Sequence, residues 1–318
     1  MSTAASTYLA PWWLPGGHLQ TVFAALAPAP RVSYRRERWE TPDGDFIDLD
    51  WAGADTNAAA PGMTGKNGPL IALFHGLEGS SASPYARAIA AQALAAGWRC
   101  VVPHFRGCSG ELNRLPRAYH SGDSAEIDWI LRRLEARYAV GISLGGNALL
   151  KLLGERGADV KLRRAVAISA PLDLAAAGRS LDRGLSREIY TRVFLRTLKQ
   201  KAFEKIRRNR ISVDPLRLQN ARTFWEFDDA VTAPLHGFLG AGDYYTRASS
   251  GPWLGGIRVP TLVLNARNDP FMPESVLDAI GEVPANVVLE FPRDGGHAGF
   301  PGCDRWLARR VLDFLSTP

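Results

Sequence analysis

The chain has 318 residues, 46% hydrophobic and 22% charged, with a formal net charge of +6. That balance fits a globular protein with a sizeable core and excludes a disordered or fibrous chain. The basic excess is mild, and no Lys/Arg run interleaved with aromatics points to a nucleic-acid partner. Peripheral contact with anionic lipid stays open on charge alone. Cys100, Cys108 and Cys303 form no CxxC pair, so reduced thiols and a cytoplasmic location are expected. The first basic residue is Arg31, which leaves the N-terminus without the charged start of a secretory leader. The longest clean apolar runs, such as AIAAQALAAGW, fall short of the ~20 residues that span a bilayer.

In chain order, PWWLPGGHLQT (Pro11 to Thr21) comes first. It is too short and too broken by proline to anchor in a membrane. Trp12 and Trp13 are expected to pack on the body, with GGHLQT turning back to support the cap or the pocket wall. From about Val32, VSYRRERWET and DFIDLDWAG read as strands, and ADTNAAAPGMTGKNG as a loop. PLIALFHG is a continuous apolar run, as in a strand buried on both faces. SPYARAIAAQALAAG reads as a helix, with Ser83 as N-cap, Pro84 at the first position and Gly97 as stop. Strand WRCVVPHF, helix SAEIDWILRRLEAR, strand YAVGIS, helix LGGNALLKLLGERG and strand RRAVAISAP follow. The alternation breaks from 173 to 251, a basic stretch with helical periodicity. It resumes with strands in IRVPTLVLNAR and NVVLEF, the helix PESVLDAIG between them, and a last helix in CDRWLARRVLDFL. Alternation of this kind predicts a mostly parallel central sheet flanked by helices. The expected organisation is an α/β core of residues 1–172 and 252–318, with 1–31 packed on it, and a helical cap over 173–251.

Gly141-Ile142-Ser143-Leu144-Gly145 is a GxSxG string at a strand-to-helix junction. Such a turn pushes the serine out above the sheet, and the glycines two residues away on either side make room for it. A serine hydroxyl needs a base to take its proton and an acid to orient that base. In an elbow of this type the chain order is Ser, then Asp or Glu, then His. Of six histidines only His297, in FPRDGGHAGF, lies past the last strand. Asp269 follows the preceding strand, while Asp294 shares the loop of His297. The predicted triad is therefore Ser143, Asp269 and His297. Backbone N–H groups of Leu77, in FHGLEGSSAS, and Leu144 are expected to hold the oxyanion. His75 is expected to orient that loop rather than to move protons. The dispersed histidines and the lack of an HExxH string predict no metal, and no cofactor is expected.

The segments PGGHLQT, HGLEGSS, PHFRGCSG, YHSGD, GISLGGN, FDDAVTAPLHGF, DYYTRASS, NARNDPF and GGHAGF together resemble the YheT-like branch of the α/β-hydrolase superfamily. This bacterial group is related to the eukaryotic ABHD-type lipid esterases. The resemblance implies an α/β-hydrolase fold and a carboxylesterase- or lipase-like serine hydrolase acting on small-molecule acyl esters. It places the triad on the same three residues. The membrane-bound relatives have an N-terminal transmembrane helix, which is not expected here. Rival readings are acyl transfer, thioester or amide cleavage, and a non-catalytic ligand-binding member of the fold.

Gly178 to Arg210 carries eleven Lys/Arg and three acids. Most of that charge is expected to be a solvated face. Ile189, Tyr190, Val193, Phe194 and Leu198 recur at near-helical spacing and are expected to pack on the core rather than face a pocket. Phe238, Tyr244 and Tyr245 are the candidate acyl-pocket residues.

Overall fold

The computed structural model describes residues 4–53, 68–208, 210–302 and 305–317. The loop read from Ala54 onward lies outside the described residues except for Gly68, and Cys303 lies outside them too. The strands among the described residues are β1 (Tyr34–Glu40), β2 (Phe46–Ala52), β3 (Leu70–Phe74), β4 (Arg99–Pro103), β5 (Tyr138–Ile142), β6 (Arg164–Ile168), β7 (Thr261–Leu264) and β8 (Val287–Glu290). They form one sheet in the order β1-β2-β4-β3-β5-β6-β7-β8. β1 and β2 pair antiparallel, β2 runs antiparallel to β4, and the other pairings are parallel.

The charged first hairpin is explained by its register. Arg36 faces Asp50 and Arg38 faces Asp48, and each guanidinium makes a two-pronged contact with its carboxylate. The inner strands need no such pairing because both their faces are dry. Ala72 and Phe74 of β3 face one core, with Ile127, Ile130 and Leu149. Ile71 and Leu73 face the other, with Ile89, Ala93 and Val311. This is the period-two alternation of a strand covered on both sides. Full burial of each of the Ile, Leu, Val and Phe side chains among them stabilises the fold by about 1.5–3 kcal/mol.

α1 (Gly17–Leu26) precedes β1 and adds no residue to either core; the covering helices are α2 (Pro84–Ala95), α3 (Ser124–Leu134), α4 (Leu144–Arg156) and, after the segment below, the C-terminal helix Trp306–Ser316. Ser83 and Pro84 start α2 as the sequence predicts, although the Ser83 side chain does not bond back to the helix.

Between β6 and β7 the chain is helical: α5 (Leu174–Leu181), a π-helical turn at Arg187–Thr191 leading into α6 (Arg192–Arg207), α7 (Pro215–Asn220), a second π turn at Asp228–Thr232, and α8 (Ala241–Ala248). Asp173 and Asp214 cap α5 and α7, and Thr223 with Glu226 makes a capping box. The segment has its own small core of Leu195, Leu218, Phe227 and Val231. Asn147 of α4, fully buried, ties its return to the body. Its Nδ2 donates to Ser121 O and Ala248 O, and its Oδ1 accepts from Ser250 N–H.

Candidate active site

Ser143 stands between β5 and α4 at φ 52 and ψ −118. This is a strained conformation for a residue with a Cβ, held by the surrounding structure. A Cβ on Gly141 would lie 2.5 Å from Gly145 O, and one on Gly145 would lie 2.5 Å from Phe74 O. Neither position admits a side chain, which accounts for the spacing of the motif.

His297 Nε2 lies 2.9 Å from Ser143 Oγ, and its Nδ1 lies 2.9 and 3.1 Å from the two oxygens of Asp269. With the ring proton on Nδ1 and donated to Asp269, Nε2 is left to accept from the serine hydroxyl. Asp269 is buried and also accepts from Phe271 N–H, which fixes its rotamer. The Phe271 ring stacks on the imidazole at 3.8 Å. Asp294 is turned elsewhere and accepts from Asn268 Nδ2.

Leu77 sits in a loop pinned on both sides. Gly76 N–H donates to Tyr85 Oη, and Glu78 N–H donates to Tyr119 Oη. Among the described residues the N–H groups of Leu77 and Leu144 find no acceptor, and both residues border the cavity above Ser143. A Cβ on Gly76 would lie 3.2 Å from Ser143 Cβ, so the loop passes directly beside the serine. His75 is fully buried, and burial lowers its pKa to about 3. The ring is neutral: Nε2 accepts from Phe105 N–H, and Nδ1 donates to Gly76 O. It orients the loop, in keeping with the sequence reading.

The sequence reading missed what holds His297. Four consecutive backbone N–H groups of its loop each end on a side-chain oxygen. Gly295 N–H donates to Gln20 Oε1, Gly296 N–H to Asn268 Oδ1, His297 N–H to Thr21 Oγ1 and Ala298 N–H to Ser169 Oγ. Gln20 and Thr21 come from α1 and belong to PGGHLQT. A Cβ on Gly17 would lie 1.8 Å from Asn268 O, so only glycine lets α1 approach this closely. The expected support role of GGHLQT is thus a set of hydrogen bonds to the histidine loop. The expectation for the tryptophans fails. Trp12 is 92% exposed and Trp13 51% exposed, and among the described residues the one aromatic ring that Trp13 meets is Phe23, edge-on. His18, outside the triad order, stacks on Tyr190.

A cavity of about 760 Å³ opens above Ser143, with mostly apolar walls. Ile189, Tyr190, Val193, Phe194 and Leu198 all line it, which corrects the expectation that they pack on the core. Tyr244 and Tyr245 line it as well, with their hydroxyls engaged: Tyr244 Oη accepts from Ser121 N–H, and Tyr245 Oη donates to Asp228. Phe238 is not in the wall; it packs behind Tyr244 and against His120. Asp228 reaches the cavity too. Burial raises its pKa to about 7, against the pull of the Thr232 and Tyr245 hydroxyls. Glu78 accepts from Lys201 Nζ at 2.7 Å, joining the Leu77 loop to α6. Cys108 lies beside this pair, and burial pushes its thiol up to about 12.

The chain belongs to the α/β-hydrolase fold family, whose model matches residues 69–301. Within that class it is 39% identical over 320 residues to YheT of Escherichia coli (strain K12), covering 94% of this chain and 90% of that protein. It is 31% identical over 303 residues to phospholipase ABHD3 of Homo sapiens, covering 92% and 73%. Among solved structures, the esterase EaEST from Exiguobacterium antarcticum aligns with a TM-score of 0.56 at 16% identity, over 88% of this chain and 99% of that one. At that identity the likeness is one of fold. Among the described residues no helix is long and apolar enough to cross a membrane, and no group of three or more His, Cys, Asp or Glu is placed to hold a metal ion.

Proposed function

We propose that the protein is a serine hydrolase of carboxylic acyl esters that works through an acyl-enzyme. The observation that carries this reading is the unbroken hydrogen-bond chain Ser143–His297–Asp269 at the floor of an apolar cavity. His297 Nε2 takes the Ser143 proton as Oγ attacks the ester carbonyl. The carbonyl oxygen becomes negative and is met by the N–H groups of Leu77 and Leu144, a donor pair of a kind worth about 10²–10³ in rate per donor. The imidazolium, stabilised by Asp269, protonates the departing alcohol. Water then enters, gives its proton to His297 and attacks the acyl group. Ser143 leaves with that proton restored.

Residues 173–251 act in this reading as a cap over a core of 1–172 and 252–318. The ring faces of Tyr244 and Tyr245 contact the acyl group. Substrates are short- to medium-chain or lipid-like esters, which the apolar walls and the similarity to a phospholipase support. The reading includes peripheral contact with anionic lipid. The unpaired thiols Cys100 and Cys108 support a cytoplasmic location.

The test is a chain-length series of p-nitrophenyl esters on purified protein, together with fluorophosphonate labelling. Ser143→Ala should abolish both turnover and labelling. Retained turnover in that variant refutes the mechanism, and a folded parent that resists labelling favours a binding protein. Product analysis with an added alcohol separates hydrolysis from transfer.

A further inference from the structure

α1 is amphipathic in the reverse sense. Its buried residues are the polar Gln20 and Thr21, which hold the histidine loop. Its solvent side carries Leu19, Phe23 and Leu26, an i, i+4, i+7 stripe, with Leu26 79% exposed. A second stripe runs along the π turn and the start of α6: Leu185, Ile189 and Val193, at i, i+4 and i+8, with Leu185 64% and Val193 61% exposed. The two stripes are fastened together, because His18 of α1 stacks on Tyr190 at 5.8 Å and lies 3.2 Å from its hydroxyl. The cavity lies between them: Phe23, Leu26, Ile189 and Val193 belong both to the stripes and to its lining. Singly exposed leucines need no explanation, but paired stripes framing one opening do.

The charge around this face is mostly basic: Glu188, next to Ile189, pairs with Arg192, and the other exposed charges from Arg183 to Arg196 are arginines. The first thirty residues contain no Lys, Arg, Asp or Glu. At the ends of the second stripe stand Arg183 and Arg196, both exposed and in no ion pair among the described residues. Trp13, on the edge of Phe23, adds a side chain suited to the boundary between head groups and acyl chains.

We infer that these two stripes form a docking face for an anionic lipid surface, with the cavity mouth held against the bilayer. The apolar stripes enter the head-group boundary, and the guanidiniums meet lipid phosphates. The docked geometry lets an acyl ester pass from the lipid into the cavity without crossing water. That consequence rests on the hydrolase reading above, but the docking itself does not.

The test is co-sedimentation of the full chain with vesicles of phosphatidylglycerol and phosphatidylcholine in equal parts, and with vesicles of phosphatidylcholine alone. Leu19 and Leu185 are in the stripes but outside the cavity wall, so Leu19→Ser and Leu185→Ser are the variants of choice. Each should weaken binding to the mixed vesicles about tenfold and leave turnover of a soluble short-chain ester at the parent level. Arg183→Gln and Arg196→Gln should each cost about fivefold on the mixed vesicles only. Ser143→Ala should bind like the parent, which keeps this test apart from the test of catalysis. Vesicle binding that the two leucine variants leave unchanged overturns the proposal, as does a parent that fails to bind. A concentration-dependent dimer in light scattering, lost in the same two variants, assigns the face to a second copy instead.

Discussion

Replacing Thr21 by valine keeps the shape of the side chain and removes its oxygen. In the folded protein that oxygen accepts the His297 N–H at 2.8 Å and donates to Gly17 O at 2.7 Å. Thr21 is buried, so water replaces the lost acceptor poorly. An unpaired buried N–H costs about 1–3 kcal/mol. The cost falls on the residue that must keep Nε2 within 2.9 Å of Ser143. If it is relieved by the loop moving away, kcat falls by about 5- to 150-fold, at tenfold per 1.36 kcal/mol. KM for a short p-nitrophenyl ester should stay near the parent value, because valine keeps the shape of the side chain where Thr21 borders the cavity. Fluorophosphonate labelling should slow in step, since it needs the same serine and the same base. Thr21→Ser restores the oxygen and should recover most of the rate, which a purely structural defect would not do. The reasoning is refuted if Thr21→Val turns over at the parent rate, or if its loss is not recovered by serine.

Two further predictions rest on the same structure. Gly17→Ala places a carbon 1.8 Å from Asn268 O, so α1 must lift from the histidine loop. Turnover should drop at least as far as in Thr21→Val, with a clear fall in melting temperature by circular dichroism, and a variant that melts and turns over like the parent sinks the account of the motif. Asp228 holds its proton in the fold up to about pH 7, whereas in the unfolded chain the carboxyl releases it near its ordinary value of 3.8. Between those values the native state binds more protons, so this group's contribution to stability falls as pH rises and is flat above pH 7. The melting-temperature difference between the parent and Asp228→Asn should therefore shift in favour of the variant from pH 5 to pH 8, and a pH-independent difference contradicts the assignment.

The parts of the fold that a single segment determines were legible in the sequence. The buried strands announce themselves as apolar runs, and the order Ser143, Asp269, His297 follows from which strand each residue ends. The comparison with the structure fails where burial and polarity part company. α1 left no usable signal because its buried face is Gln20 and Thr21 and its exposed face is Leu19, Phe23 and Leu26, so ordinary periodicity reads it inside out. Trp12 and Trp13 misled for the same reason, as large rings left in solvent. Ile189 and its neighbours read as core residues because helical spacing cannot tell a packed face from a cavity wall. The partners of Gln20 could not be found locally at all, since its bond to Gly295 spans 275 residues.

That span also sets when the site can exist. At roughly 5–20 residues per second of synthesis, about 15–55 s separate the appearance of Gln20 from that of Gly295. Until then α1 has nothing to clamp, and Ser143 stands on its elbow without a base. α1, made 275 residues ahead of the loop it holds, is thus among the last elements to find its partners. A chain interrupted before the final loop would lack His297 and the part of the cavity wall formed by Ala298, Gly299 and Phe300. Synthesis of the His297 loop, rather than of the serine elbow, is the event that completes the hydrogen-bonded chain Ser143–His297–Asp269.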